Sequence, residues 1–158
     1  FGLGRQLSIS RTLAQDYIDR YFARYPGVAE YMERTRALAH DQGYVETVFG
    51  RRLYLPEIDS RNHQRRQAAE RTAINAPIQG SAADMIKIAM IRIHEKLQDK
   101  GYRTKMLLQV HDELVFDVYT PELEEVSALI RSEMENAYSL EVPLVVDIGV
   151  GANWLEAH

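Results

Sequence analysis

Within an apolar stretch, Gln109-Val110-His111-Asp112-Glu113-Leu114-Val115 sets a histidine and two carboxylates between aliphatic runs. Charge is expensive in such surroundings unless it occupies a turn, binds a metal or finds partners. Asp112 and Glu113 are the kind of ligand that Mg²⁺ prefers, because a hard cation takes oxygen donors and keeps several waters. A rigid hairpin tip would present them with little positional slack. The same residues also suit a plain solvent-exposed connection, since Asp is a common turn residue. One carboxylate pair falls short of a two-metal site, which needs ligands from elsewhere.

A second constellation is Arg71-Thr72-Ala73-Ile74-Asn75-Ala76-Pro77-Ile78-Gln79-Gly80-Ser81-Ala82-Ala83-Asp84. Arg71, Asn75 and Gln79 recur at every fourth position, a row along one helical face. All three donate hydrogen bonds. The minor groove offers purine N3 and pyrimidine O2 acceptors in nearly fixed positions at every base pair. Such a row can therefore grip paired duplex without reading its sequence. Pro77 perturbs the alignment without destroying it. In the competing reading, Asn75 and Gln79 bond the backbone where Pro77 removes a donor. Spacing alone leaves both open.

The elements around these residues follow from periodicity. Ser10-Arg11-Thr12 opens a helix with Leu13, Tyr17, Ile18, Tyr21 and Phe22 at spacings of three and four. Tyr25-Pro26-Gly27 breaks it, and a second helix uses Val28, Tyr31, Met32, Thr35 and Leu38 before ending near Gly43. The aromatic stripe Tyr17, Tyr21, Phe22, Tyr25 and Tyr31 reads as helix–helix packing rather than a base-stacking platform. Tyr44 to Leu55, turning at Gly50, reads as a short hairpin. A long helical region runs from about His63 to Lys100 with an interruption around Pro77, and Gly101 stops it. Its later half sets Ala82, Met85, Ile86, Ala89, Ile93 and Leu97 toward a core. Lys105 to Val110 and Leu114 to Val118 are strand-like, and Pro121 starts a helix with Leu123, Val126, Leu129, Ile130 and Met134. Val142 to Val150 reads as a closing strand. The fold class is α+β, with an antiparallel sheet packed by long helices and preceded by a helical segment. The division falls at 1–62 and 63–158.

The chain has 158 residues, enough for one compact domain or two small ones, and no cysteine, which excludes disulfides and thiolate zinc sites. No apolar stretch approaches the roughly 20 residues of a membrane span, and no signal peptide opens the chain. The expected setting is the cytoplasm, with no membrane partner. The absence of an initiator methionine suggests a piece of something longer. The net charge of −4 argues against a nucleic-acid binder by itself. Its distribution does not: Arg51, Arg52, Arg61, Arg65, Arg66 and Arg71 outnumber Glu57, Asp59 and Glu70, whereas Glu122, Glu124, Glu125, Glu133 and Glu135 gather later. A polyanion could be held on the basic side.

Together, the Arg71–Asp84 and Gln109–Val115 segments resemble two characteristic segments of the family A DNA polymerases of bacteria. The first is similar to the helix that touches the primer–template minor groove, and the second to motif C of the palm. Phe1-Gly2-Leu3, Tyr25-Pro26-Gly27, Gly43-Tyr44-Val45-Glu46-Thr47 and Gly50-Arg51-Arg52 resemble that family's fingers region. The likeness extends to Asn153-Trp154.

The resemblance implies that Asp112 binds the catalytic Mg²⁺ ions, that Glu113 is an auxiliary acid, and that His111 lies close to the primer end. It implies that Arg71, Asn75 and Gln79 contact primer–template DNA, with Arg65 and Arg66 assigned to phosphate. Residues 1–62 would be fingers and 63–158 palm. The implied reaction is attack of a primer 3′-hydroxyl on the α-phosphate of a dNTP, in replication and repair near the nucleoid. The chain departs from the family by omission. The motif A aspartate and the fingers helix that grips the incoming nucleotide are absent. The expectation is that the fragment alone is inactive, needs the missing N-terminal part of the polymerase domain, and self-associates through an exposed sheet edge or by swapping. The alternative is a non-catalytic duplex-binding module.

Overall fold

The computed structural model describes residues 2–157. Phe1, which opens the Phe1-Gly2-Leu3 match, and His158 lie outside the described residues. In chain order the elements are α1 (Gly2–Gln6), α2 (Arg11–Arg24), α3 (Pro26–Gln42), β1 (Tyr44–Glu46), β2 (Arg52–Tyr54), α4 (His63–Asp99), β3 (Lys105–Val110), β4 (Glu113–Asp117), a 3-10 turn (Thr120–Glu122), α5 (Leu123–Glu135) and α6 (Trp154–Ala157). The α+β class holds: β1–β2 and β3–β4 are two separate antiparallel pairs among helices. The chain divides into two compact units, Phe1–Ile78 and Gln79–His158.

In the first unit, the Ser10 side chain accepts from the Leu13 N–H at 3.2 Å and caps α2. Pro26 sits in the first turn of α3, where its missing N–H costs nothing. Gly43, at φ +74°, ends α3 in the left-handed conformation and donates to the Ala39 carbonyl at 2.9 Å. β1 and β2 then pair through Tyr44↔Tyr54, Val45↔Leu53 and Glu46↔Arg52. The core consists of Ala39, Val45, Leu55, Ile58, Ala69 and Ala73, with Ala76 packed against it. The aromatic stripe packs only in part: Phe22 and Tyr31 are half-buried. Tyr17, Tyr21 and Tyr25 remain about half exposed, and α2 buries only Ala14. Tyr21 instead meets its own neighbours, Phe22 at 5.5 Å and Tyr25 at 5.2 Å between ring centroids. Periodicity identifies a face but not whether anything covers it.

The expected interruption at Pro77 is absent: α4 runs through it as one helix of 37 residues. An interior proline costs a helix about 3 kcal/mol. Here the preceding turns are anchored by Ala69, Ala73 and Ala76 against the core, which offsets that cost. The start of α4 is capped by Asn62, whose Oδ1 accepts from Gln64 N at 3.0 Å and Arg65 N at 3.3 Å.

In the second unit, the buried row on α4 is Ala89, Ile93 and Leu97, with Ser81 buried and Met85 partly so; Ala82 points to solvent instead. The end of α4 is a Schellman motif. Gly101 N–H bonds Gln98 O at 3.0 Å, Tyr102 N–H bonds Leu97 O at 3.0 Å, and Gly101 has φ +68°. The Tyr102 ring packs against the cluster that contains Leu97, the apolar contact that accompanies this motif. β3 and β4 pair antiparallel from Lys105↔Asp117 to Val110↔Glu113, with a bulge at Leu107 between Met106↔Phe116 and Leu108↔Val115. Leu114 and Phe116 pack with Met85, Leu129 and Met134 around Ile93, Val126 and Ile130. This core carries the hairpin.

The expected closing strand is not formed. Residues 143–150 have no ladder, and Val142, Val145 and Val150 are exposed, Val145 at 76%. A strand exists only beside a partner, and none of the described residues pairs with this segment. α5 holds it at one point: Val146 N–H donates to the Glu135 carboxylate at 3.3 Å, and the Arg131 guanidinium donates to the Val146 carbonyl. Beyond it, α6 lies against Gly149, where a Cβ would stand 1.7 Å from the Ala157 carbonyl oxygen.

Candidate functional site

The closing pair Val110↔Glu113 leaves His111 and Asp112 as a two-residue turn between β3 and β4. His111 has φ +53°, and Asp112 does not share the positive sign. That is the sign pattern of a type II′ turn, whose first position favours glycine. Histidine there stores roughly 1–2 kcal/mol of backbone strain. The Gln109 side-chain amide donates to the His111 carbonyl at 2.8 Å and holds the tip. His111 and Asp112 are exposed. Glu113 lies in β4 and is half-buried, so the acids split between turn and strand rather than sharing a polar centre.

Strand alternation places Glu113 on the face opposite Leu114, which packs on the core. Among the described residues, no group of three or more His, Asp or Glu side chains is arranged to hold a metal. The donor set supplies oxygen ligands of the right chemistry and leaves the shell to be completed.

Arg71, Asn75 and Gln79 are all exposed on α4, while Ala69 and Ala73 are buried. Arg71 and Asn75 belong to the first unit, and Gln79 opens the second. Their backbone is committed to one helix, which favours outward donors over side chains spent on repairing a break at Pro77. Arg65 and Arg66 are engaged nearby: Arg65 Nη1 lies 3.6 Å from Glu57 Oε1, and Arg66 Nε lies 3.9 Å from Glu70 Oε1. Arg66 also donates to the Ser60 carbonyl at 3.2 Å. The exposed Arg65–Glu57 pair is weak enough to exchange for a phosphate, whereas Arg66 and Glu70 are half-buried.

The later acids are likewise matched by cations, Glu125 with Lys100 at 3.1 Å, Glu133 with Lys96 at 2.5 Å and Glu135 with Arg131 at 3.8 Å. The Tyr102 hydroxyl and the Lys100 ammonium hold the Glu125 carboxyl below its ordinary range. Glu122 fastens the base of the hairpin. Its carboxylate accepts from Arg103 N at 2.9 Å, Thr104 N at 3.0 Å and the Thr104 hydroxyl at 2.7 Å. Desolvation, the largest influence, pushes the Glu122 carboxyl up, but these donors outweigh it and the net displacement is downward.

The contacts of three residues escaped sequence reasoning. His40 Nδ1 lies 2.7 Å from Asp59, and its Nε2 lies 3.5 Å from Glu70, which ties α3 to the loop and to α4. Thr104 is buried and bridges Glu122 to the Tyr119 N–H at 3.2 Å. Tyr31 donates its hydroxyl to the Ile74 carbonyl at 3.1 Å. All three contacts join segments far apart in the chain, so no local spacing announces them.

A sequence model of DNA polymerase family A matches residues 1–156. The chain is 60% identical over 158 residues to DNA polymerase I of Pseudomonas aeruginosa, covering all of this chain and 17% of that protein. It is 55% identical over 157 residues to DNA polymerase I of Streptococcus pneumoniae, covering 99% of this chain and 18% of that one. It is 52% identical over 154 residues to the Mycobacterium tuberculosis protein of the same name, covering 98% and 17%. Among solved structures, the POL domain of Pol1 from M. smegmatis, in complex with a DNA primer-template and dNTP, superimposes with a TM-score of 0.95 at 51% identity. That match covers 99% of this chain and 28% of the other. This chain thus spans under a fifth of the length of these full-length relatives. With a match running from end to end, the chain belongs to DNA polymerase family A.

Proposed function

We propose that this chain is the segment of a bacterial DNA polymerase I that brings the motif C acids and the duplex-gripping helix to template-directed DNA synthesis. The observation that carries this reading is the end-to-end likeness to a polymerase domain solved with primer-template and dNTP. In it, Asp112 holds divalent metal at the hairpin tip, Glu113 assists from β4, and His111 stands beside the primer end. Arg71, Asn75 and Gln79 donate to minor-groove acceptors of the nascent duplex, and Arg65 and Arg66 release their glutamates to meet phosphates. Residues 1–62 serve as fingers and 63–158 as palm. Mg²⁺, when bound, would acidify the primer 3′-hydroxyl and neutralise charge on the departing pyrophosphate. The protein's own part is to fix the ligands and align the duplex. The cellular setting is the bacterial cytoplasm at the nucleoid; among the described residues, no helix is long and apolar enough to cross a membrane.

The isolated chain is inactive in this reading, because among the described residues no third acid or histidine joins Asp112 and Glu113 in an arrangement that could hold a metal. The 143–150 segment, which joins no ladder among the described residues, and the β3–β4 edges make it self-associate in this reading. The competing reading is a duplex-binding module without catalysis. Primer extension with Mg²⁺ on a hairpin primer–template separates them. Extension is expected only when the N-terminal part of the polymerase domain is added, and Asp112→Asn should lower it by at least about a hundredfold. Wild-type extension in the complemented mixture that survives Asp112→Asn undiminished refutes the assignment of Asp112. Metal-independent, sequence-indifferent duplex binding without extension would favour the binding module.

A further inference from the structure

Pro77 cannot donate to the carbonyl of Ala73, four residues back, and its ring crowds that carbonyl. Ala73 is fully buried, so that side of α4 has no water to turn to. The next carbonyl along the helix, one residue nearer the ring, is that of Ile74. At Ile74 an outside donor appears: the hydroxyl of Tyr31, from α3, lies 3.1 Å from its carbonyl oxygen. The Ile74 carbonyl and the Asn75 N–H belong to one planar peptide unit. Whatever holds that carbonyl holds the plane from which the Asn75 Cα departs.

We infer that Tyr31 is a positioning residue for Asn75, its hydroxyl adding a hydrogen bond to the Ile74 carbonyl, next to the Ala73 carbonyl that Pro77 leaves without its helical donor, and thereby fixing the direction in which Asn75 meets the duplex. The inference rests on the proposed duplex contact by Asn75. Tyr31, Ile74 and Asn75 all lie in the first compact unit. The ring of Tyr31 is only partly buried and its hydroxyl is directed at backbone, which separates it from the half-exposed tyrosines of α2.

The test uses the whole polymerase that contains this chain, with Tyr31→Phe, Asn75→Ala, Pro77→Ala and the Tyr31→Phe/Asn75→Ala and Tyr31→Phe/Pro77→Ala pairs. Tyr31→Phe keeps the ring and removes only the donor. It should weaken primer–template affinity roughly two- to tenfold, the usual effect of one lost hydrogen bond. The slope of affinity against salt should stay unchanged, because no phosphate contact is lost. Amide exchange at Asn75 and Ile78 should accelerate. Pro77→Ala restores an N–H to the helix, so Tyr31→Phe should have a smaller effect in that background. Tyr31→Phe should also add little once Asn75 is alanine. If Asn75→Ala leaves affinity unchanged, the duplex contact itself is wrong. If Asn75→Ala weakens binding while Tyr31→Phe changes neither affinity nor exchange, the contact stands and the positioning role falls. An equal Tyr31→Phe penalty with and without Asn75 overturns it too, since the hydroxyl would then act through general stability.

Discussion

Ile93 is fully buried beneath the hairpin, whereas Ile91, two positions earlier on the same helix, is 58% exposed. Replacing each by alanine removes the same three carbons, and burial alone should separate the outcomes. At about 0.8 kcal/mol per buried methylene, Ile93→Ala loses roughly 2.4 kcal/mol of transfer free energy. The unfilled cavity raises the total to about 2.5–4 kcal/mol. Ile93→Val should cost about 1 kcal/mol, and Ile91→Ala should stay within about 0.5 kcal/mol of zero because alanine is the better helix former. Urea unfolding followed by far-UV circular dichroism and by the fluorescence of Trp154, the single tryptophan, measures all three. Leu114 and Phe116 share this core, so amide exchange in β4 should rise with Ile93→Ala as well. A loss below about 1 kcal/mol for Ile93→Ala, or one no larger than for Ile91→Ala, would refute the placement of the core.

Two further outcomes follow from local geometry. The folded state lowers the Glu122 carboxyl below its ordinary value of 4.5, so its contribution is complete above that value and disappears as pH falls through the lowered folded value. Glu122→Gln should therefore lower the urea midpoint at neutral pH and flatten its acid dependence; an unchanged acid profile would show that the clip at Arg103 and Thr104 contributes nothing. Gly149→Ala puts a Cβ where the Ala157 carbonyl lies, so α6 must detach, and Trp154 fluorescence should shift and amide protection at Glu156 disappear while the Ile93 core persists. Retained protection at Glu156 would mean the backbone there adapts.

Local rules carried the sequence reading far. Ser10 opening α2, the break at Tyr25-Pro26, Gly43 and Gly101 at helix ends and the strand-like runs on either side of His111-Asp112 each follow from rules that act within a few residues, and each appears where expected. Readings that needed knowledge of neighbours failed. Pro77 looked like a break because its penalty is local, whereas the packing that offsets it is not. The Tyr17–Tyr21–Tyr25 row looked buried because amphipathicity was taken for coverage. Val142 to Val150 has strand composition but no partner among the described residues. At the candidate site, spacing gave residue types and order. It could not give the left-handed backbone of His111, the placement of Glu113 in the strand, or the Tyr31 contact, which joins residues 43 positions apart.

The bulge at Leu107 gives the hairpin an adjustable stem. Below it the pairs are Lys105↔Asp117 and Met106↔Phe116; above it they are Leu108↔Val115, Gln109↔Leu114 and Val110↔Glu113, and the two sets differ by the one unmatched residue. Deleting Leu107 would merge them into a single regular ladder in which every one of these pairs survives. The turn that carries Asp112 would still close on the same residues, but without the extra twist that a bulge introduces. Strand length and acid placement are thus separate variables in this chain: losing one residue changes where the tip is aimed and leaves its chemistry intact.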